Sequence, residues 1–374
     1  MSEAMPAAIS ATVDAGAAST RWLLDGPGQI ASGEHVGGVA GVVEADGGAA
    51  YVYPEITGYY LQWLAWRATR DGNGALLARR AQAAQHWLVR WLALDPPPTR
   101  VHLHASPADW RNDAIFFFDI AMALRGVASA VAAGLLVAER SVVDGLAALL
   151  AQLVATDGEF DACRPHRAAT VLPERWSTRR GAFLAKAAAG VVAAAAVLPG
   201  LPAELLRAAE RSLRSCLRML ETTGHRETHP LLYAAEGFLA LPGHATFALA
   251  LPVIRTRFAT LLATSGRHRR VPEFVAGGEA GGGAMRLDIV AQALRVGALL
   301  AAHAASPAIP NGELDRLRGT LIAAAAVDGS LPFVVDEEPR RGNVWATMFA
   351  DQALAFATDA DAALLLRRDA PLLV

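Results

Sequence analysis

Six helices that are apolar on nearly every face, each opened by polar residues, recur along this chain. The polar openings fall near residues 55, 113, 180, 229, 286 and 343, at spacings of 58, 67, 49, 57 and 57. Each apolar helix is followed by a more amphipathic one. A helix that is apolar all round must be buried, and its amphipathic neighbour should lie outside it. Six such hairpins, head to tail, close most naturally into an inner ring of helices within an outer ring. Every inner helix then starts at the same end, because each returns through its outer partner. That end should gather the polar openings into one funnel. The expected architecture is an all-α toroid over residues 51–374 with short irregular or β connections, and residues 1–50 form an N-terminal extension packed on it.

The first opening is the most informative. Pro54 suits the first turn of a helix and no other part of it, so the helix begins there. Glu55, Tyr59, Gln62 and Trp66 then share one face. A carboxylate, a phenol, an amide and an indole suit a polar pocket wall better than a core seam. Further along, Arg111-Asn112-Asp113 opens an apolar helix running to about Ala132. Trp176-Ser-Thr-Arg-Arg180 leads into the apolar helix 182–198. His229-Pro230 leads into helix 231–241, whose partner 245–264 must be kinked or divided by Pro252. Met285-Arg-Leu-Asp288 leads into helix 287–304. Asn343-Val-Trp345 opens the last apolar helix, and Asp359–Arg368 is a closing segment.

Hydrophobic residues make up 53% of the 374, enough for a large helical core and too many for disorder. A net charge of −2 supplies no whole-protein attraction to nucleic acid or to an anionic membrane. Cys163 and Cys216 are the two cysteines; they stand far apart and outside any CxxC pattern, which excludes a disulfide framework and a cysteine zinc site. The Ala-rich N-terminus lacks the basic start and apolar run of a signal peptide. The longest apolar segments are too short or too broken to span a bilayer. A cytoplasmic protein with no membrane span is expected. Gly26–Gly48 lacks phosphate-loop spacing. The basic run Arg267-His-Arg-Arg270 has no interleaved aromatics, so no nucleic-acid partner is expected. Gly277–Gly283 reads as a linker or a lid. His102 and His104 face one side of an extended piece but lack a third ligand. Neither a metal nor a cofactor is expected.

The chemistry-bearing candidates lie at the openings. Glu55 gains from a helix N-terminus, and Tyr53 and Tyr59 beside it could stack on a sugar. Asp113 follows Arg111 and could equally be a simple cap. Asp119, deeper in the same helix, needs a partner if buried and ranks second. Arg179, Phe183 and Lys186 share a face, with Arg180 adjoining and Trp176 as a wall or plain core indole. Lys186 either snorkels outward or faces a wet cavity. His229, Tyr233 and Glu236 form the fourth group. A helical His225/His229 metal pair is opposed by Pro230. Arg286, Asp288 and Gln292 form the fifth group; Asn343, Trp345 and Thr347 form the sixth, where Asn343 would cap a helix in any protein. Independent caps would not also bring tyrosine, tryptophan, arginine and histidine to matching positions. The mixture suits sugars, which offer hydroxyls and apolar faces. The arginines suggest a carboxylate- or sulfate-bearing one.

Six helical hairpins with polar signatures at the inner helix starts resemble the (α/α)6 toroids of six-hairpin glycosidases, polysaccharide lyases and sugar epimerases. Terpene-cyclase-type toroids share the general architecture. More narrowly, Tyr53-Pro-Glu-Ile-Thr-Gly-Tyr59, Trp176-Ser-Thr-Arg179 with Lys186, and His229 with Tyr233 resemble a family associated with bacterial polysaccharide biosynthesis clusters. The likeness runs over most of residues 50–357. It implies the toroid fold and a glycan or oligosaccharide substrate. It leaves the reaction open among hydrolysis, elimination and epimerisation, because one fold hosts all three.

The expected function is a carbohydrate-active enzyme with Glu55, Asp113, His229 and Asp288 as catalytic candidates. Hydrolysis needs two carboxyl groups flanking the bond, drawn from Glu55, Asp113 and Asp288. Elimination or epimerisation of a uronate needs a base such as His229 or Tyr233, and the arginines fit it slightly better. Two other classes compete. One is a non-catalytic glycan-binding or scaffold protein using the same residues. The other is a terpene-type cyclase, disfavoured by the polar funnel and by the absence of DDxxD and DxDD motifs.

Overall fold

The structure, a computed structural model, describes residues 4–70, 73–104, 108–222, 227–274, 284–303, 311–359 and 361–374. His225 and the Gly277–Gly283 stretch lie outside them. In chain order the elements are α1 (Ala4–Asp25), β1 (Val42–Val43), β2 (Tyr51–Val52), α2 (Pro54–Ala68), α3 (Gly74–Leu92) and β3 (Val101–His102). There follow β4 (Ala114–Phe116), α4 (Phe117–Ala132), α5 (Arg140–Gln152), β5 (Cys163–Pro165), α6 (Leu184–Ala195) and α7 (Ala203–Thr222). Then come α8 (Thr228–Leu239), α9 (Ala245–His268), α10 (Leu287–Ala302), α11 (Asn311–Ala324), β6 (Gly342–Asn343) and α12 (Val344–Thr358). The described chain falls into two compact units.

One unit comprises Gln29–Gly41 and Ala49–Thr222. Its helices α2, α4 and α6 form a row: α2 lies against α4, and α4 against α6. The hydrophobic surround of this row leaves Trp63, Tyr60, Phe117 and Leu124 buried. Each such side chain contributes about 1.5–3 kcal/mol through its removal from water. The amphipathic α3, α5 and α7 each cover one helix of the row. The α2–α4 contact is backbone on backbone. A Cβ at Gly58 would stand 2.4 Å from the Met122 carbonyl oxygen, and one at Gly126 would stand 2.2 Å from that of Gly58. Only glycine permits this approach.

The other unit comprises residues 1–28, 42–48 and 223–374. Here α10 lies between α8 and α12, while α9 covers α8 and α11 covers α10. The partner of α12 is α1, from the far end of the sequence. Ser19 Oγ donates to the Gly329 carbonyl at 2.8 Å and Thr20 Oγ1 to Asp351 Oδ1 at 3.0 Å, holding α1 in place. The segment after α12 forms only short turns. α9 runs through Pro252 undivided, with the proline on its exposed side. Among the described residues α9 alone has the length and hydropathy that crossing a bilayer takes, and 33% of that stretch is buried.

Short antiparallel pairings pin the starts of α2 and α4. β2 pairs with β3 just ahead of α2, and β4 pairs with β5 just ahead of α4. In the second unit Glu227 bridges to Phe274 ahead of α8, Arg286 to Val334 ahead of α10, and β1 pairs with β6 ahead of α12. An extended residue whose backbone groups are already bonded leaves the next turn free to begin a helix.

Two helix starts differ from the sequence expectation. Asp113 does not open α4. It ends a 3-10 turn, Trp110–Asp113, and the pairing of β4 with β5 delays the helix by one turn. Arg179 does not share a helix face with Lys186, because α6 starts only at Leu184 and Arg179 is extended.

Candidate functional site

In the first unit the polar cluster is built by the first turns of α2 and α4. Glu55 sits one residue into α2, and Asp119 sits in the first turn of α4. Asp119 is buried, while Tyr53 and Glu55 are partly exposed. The Tyr53 hydroxyl donates to Asp119 Oδ2 at 3.1 Å and also bonds the Glu55 carboxylate. The Tyr59 hydroxyl is a second donor to Glu55.

Burial pushes the Asp119 carboxyl well above the usual carboxylate range, and the negative charge of Glu55 pushes it the same way. Burial also raises Glu55. That rise is opposed by the two tyrosine hydroxyls, by the Lys186 ammonium and by Arg100. Lys186 is fully buried and lies over the Tyr59 ring, 4.9 Å from its centroid. Its charge faces the cluster instead of snorkelling away from it. Two like-charged groups side by side with unequal surroundings separate into one acid and one anion. Asp119 is the group more strongly driven to hold the proton.

A cationic wall stands beside the pair. Arg100 lies 4.5 Å from the Tyr51 ring centroid and 5.6 Å from that of Tyr53. Its backbone is tied to Asn112, whose Oδ1 accepts from Arg100 N at 2.7 Å. Arg111 donates to Asp109 Oδ1 at 3.1 Å and covers the Trp110 ring. Arg100 reaches the same Asp109 at 3.4 Å. His102 also approaches Asp109, at 3.5 Å. Hydrogen bonds from Arg111 and the charge of Arg100 outweigh burial and hold the Asp109 carboxyl below its ordinary value.

The remaining candidates of this unit have other partners. Asp113 is exposed, and its carbonyl accepts from His166 N. Arg179 is exposed and pairs with Glu174. Arg180 clamps the turn after α5, bonding Asp157 at 2.6 Å and Asp161 at 2.9 Å. Trp176 meets Phe183 edge-on at 4.9 Å. Burial pushes both thiols up, Cys163 to about 11.

In the second unit the first turns of α8, α10 and α12 supply a different cluster. Asp288 is fully buried; Arg286 binds it through two bonds of 3.2 and 2.7 Å, and Trp345 Nε1 donates to it at 3.4 Å. Burial would raise this carboxyl, yet the Arg286 guanidinium and His229 hold it below its ordinary value. It stays anionic and is not a proton donor near neutral pH. His229 Nε2 lies 3.9 Å from Asp288 Oδ2, and its Nδ1 lies 2.6 Å from Gln292 Oε1. Burial, reinforced by Arg286, lowers this imidazole to about 4, so it is neutral at pH 7. Tyr233 lies 4.2 Å from the His229 ring, and Phe333 lies between the Arg286 guanidinium at 4.7 Å and the Trp345 ring at 5.5 Å.

Beneath this group, Glu236 accepts from Gln292 Nε2 at 3.1 Å and from Arg295 at 2.5 Å. Arg295 reaches Gln352 on α12 at 3.0 Å. Asn343 caps α12, its Oδ1 accepting from Ala346 N at 2.9 Å. Among the described residues no group of three or more His, Cys, Asp and Glu is arranged to hold a metal.

Of the residues singled out from sequence, Glu55, Tyr53, Tyr59 and Lys186 lie together in one unit. His229, Tyr233, Glu236, Arg286, Asp288, Gln292 and Trp345 lie together in the other. The sequence reading underrated Asp119, because it started the helix at Asp113. It missed Arg100 and Arg295. The signal for Asp119 was an acid following Phe116-Phe-Phe118, where a buried carboxylate needs a partner.

No family model and no curated protein sequence matches the chain. Solved structures do. Cellobiose 2-epimerase from Spirochaeta thermophila superposes with a TM-score of 0.66 at 14% identity, over 98% of this chain and 100% of that one. An unsaturated glucuronyl hydrolase specific for heparin gives 0.61 at 10% identity, over 94% and 96%. A type II terpene cyclase from Scytonema, bound to geranylgeranyl dihydroxybenzoate, gives 0.54 at 15% identity, over 98% and 99%. The protein therefore has the all-α (α/α)6 toroid fold that the six hairpins predict. At these identities the likeness establishes the fold and no activity.

Proposed function

We propose that the protein is a carbohydrate-active enzyme that hydrolyses a glycosidic bond, with Asp119 as general acid and Glu55 as the anionic partner. The observation that carries this reading is the pair itself. Two carboxyl groups from adjacent helix starts share one tyrosine hydroxyl, and both are raised by burial, Asp119 the more. Hydrolysis requires one carboxyl group that still holds a proton to give to the leaving oxygen. It requires a second that activates water or attacks the sugar. Tyr53 bonds both groups and Lys186 favours the ionised form of Glu55, so the proton is directed to Asp119. Arg100 and Arg111 both pair with Asp109 beside the two acids, and this concentration of cations favours an acidic sugar. Carbohydrate-active proteins among the structural neighbours support the same substrate class.

A second reading rests on the other cluster. A neutral imidazole next to an arginine–aspartate pair and three aromatic rings suits proton removal from a sugar carbon, as epimerisation requires. One assay separates these readings from a glycan-binding protein. Defined neutral and uronate-containing oligosaccharides are incubated with wild type, Glu55→Gln, Asp119→Asn and His229→Gln. Products are scored for new reducing ends, unsaturated sugars and inverted centres. New reducing ends lost in the Glu55 and Asp119 variants support hydrolysis. Inverted centres lost in the His229 variant support the second reading, and binding without turnover would leave a binding protein.

A further inference from the structure

We infer that Gln292, Glu236 and Arg295 are positioning residues that hold His229 in one tautomer, with the proton on Nδ1 and the lone pair on Nε2. The inference deepens the second reading above, because it specifies which ring nitrogen could act as a base there.

Arg295 donates to Glu236 Oε1 at 2.5 Å, and both side chains are fully buried. Guanidinium is always a donor and never an acceptor, so it keeps the Glu236 carboxylate an acceptor. The other oxygen of that carboxylate, Oε2, faces the Gln292 amide at 3.1 Å. If Gln292 were flipped, its carbonyl oxygen would meet a carboxylate oxygen with no hydrogen between them. The amide NH2 therefore points to Glu236, and the amide oxygen points to His229 Nδ1 at 2.6 Å. An acceptor at that distance demands a hydrogen on Nδ1. The neutral ring has one N–H, so Nε2 carries the lone pair, directed toward the side on which Asp288 Oδ2 lies 3.9 Å away.

The chain of donors also has an anchor. Arg295 Nη1 donates to Gln352 Oε1 at 3.0 Å, and that same oxygen accepts from Val374 N at 3.1 Å. Gln352 Nε2 in turn donates to the Leu372 carbonyl at 2.9 Å. The orientation of one imidazole is thus tied to α8, α10, α12 and the end of the chain. An Nδ1–H bond of this kind is how a second group sets the proton on the opposite nitrogen.

The test uses the full chain labelled with [15N]histidine, and the His229→Asn spectrum identifies the His229 ring. Nitrogen NMR at pH 7 should report an N–H at Nδ1 and a bare Nε2. In Glu236→Gln the new amide can donate to Gln292, which frees Gln292 to turn and shifts the His229 proton toward Nε2. Gln292→Leu keeps the Glu236–Arg295 pair intact and covers the case in which Glu236→Gln does not fold. There the two tautomers should both be populated. A wild-type ring protonated at Nε2, or an unchanged Nδ1–H form in Gln292→Leu, overturns the inference. The readout needs no substrate, so its failure is distinct from a failure of the glycan assay.

Discussion

The hydroxyl of Tyr53 donates to Asp119 Oδ2 at 3.1 Å, joining the residue before α2 to the first turn of α4. This hydroxyl also bonds Glu55; its one proton is shared between the two contacts and stabilises whichever carboxylate receives it. Tyr53→Phe removes that stabilisation, so both carboxyl groups should titrate at higher pH. With a glycan that the enzyme turns over, both limbs of the pH profile of kcat/KM should move upward. A profile that falls in height without moving would show that the hydroxyl acts only on binding.

Asp119→Asn removes the proposed proton donor while keeping its shape. Loss of a general acid costs about 10²–10⁴ in rate. Asp113→Asn should leave the rate within a few-fold of wild type, because Asp113 is exposed in a separate turn. Steady-state kinetics on the same glycan compares the two. Equal losses would count against the acid assignment.

Gly58 and Gly126 set the distance between the helices that carry the acid pair. An added methyl at either would overlap a backbone oxygen, which no side-chain rotation can relieve. Gly126→Ala should lower stability in urea unfolding by about 1–3 kcal/mol or more. It should also reduce activity more than its stability loss accounts for, since Asp119 moves with α4.

The Arg295–Glu236 pair is fully buried. Arg295→Leu leaves a carboxylate without its partner and should cost about 3–5 kcal/mol. Arg295→Leu combined with Glu236→Leu should recover much of that loss, because neither member of the pair is then left as an unpaired buried charge. Urea midpoints of the single and double variants measure it.

His229 makes stability depend on pH in a predictable direction. In the unfolded chain its imidazole takes up a proton near pH 6.5, but in the folded protein only near pH 4. Between those values the unfolded state binds more protons, so stability falls as pH drops. The slope from this residue is at most about 1.4 kcal/mol per pH unit. In His229→Gln that part of the slope should disappear between pH 6.5 and 4.

The period of polar openings and apolar runs was enough to predict the fold, because a helix buried on all sides must be apolar on all sides. The same logic located Glu55, His229, Asp288 and Asn343 at helix starts, where a charge or a cap is favoured whatever the surroundings. Pairing was another matter. Glu55 meets Asp119 and not Asp113 because β4 pairs with β5 before α4 begins, and because Gly58 and Gly126 let two backbones touch. Arg179 and Arg180 were drawn to Glu174 and to the turn after α5, contacts that depend on loop paths the local sequence does not specify. Apolar runs in the chain were sufficient to mark which helices are buried, and the starts of α2, α8, α10 and α12, but not those of α4 and α6. Which charged groups come together was settled by packing alone, because it depends on separations of a few ångströms between segments far apart in the chain.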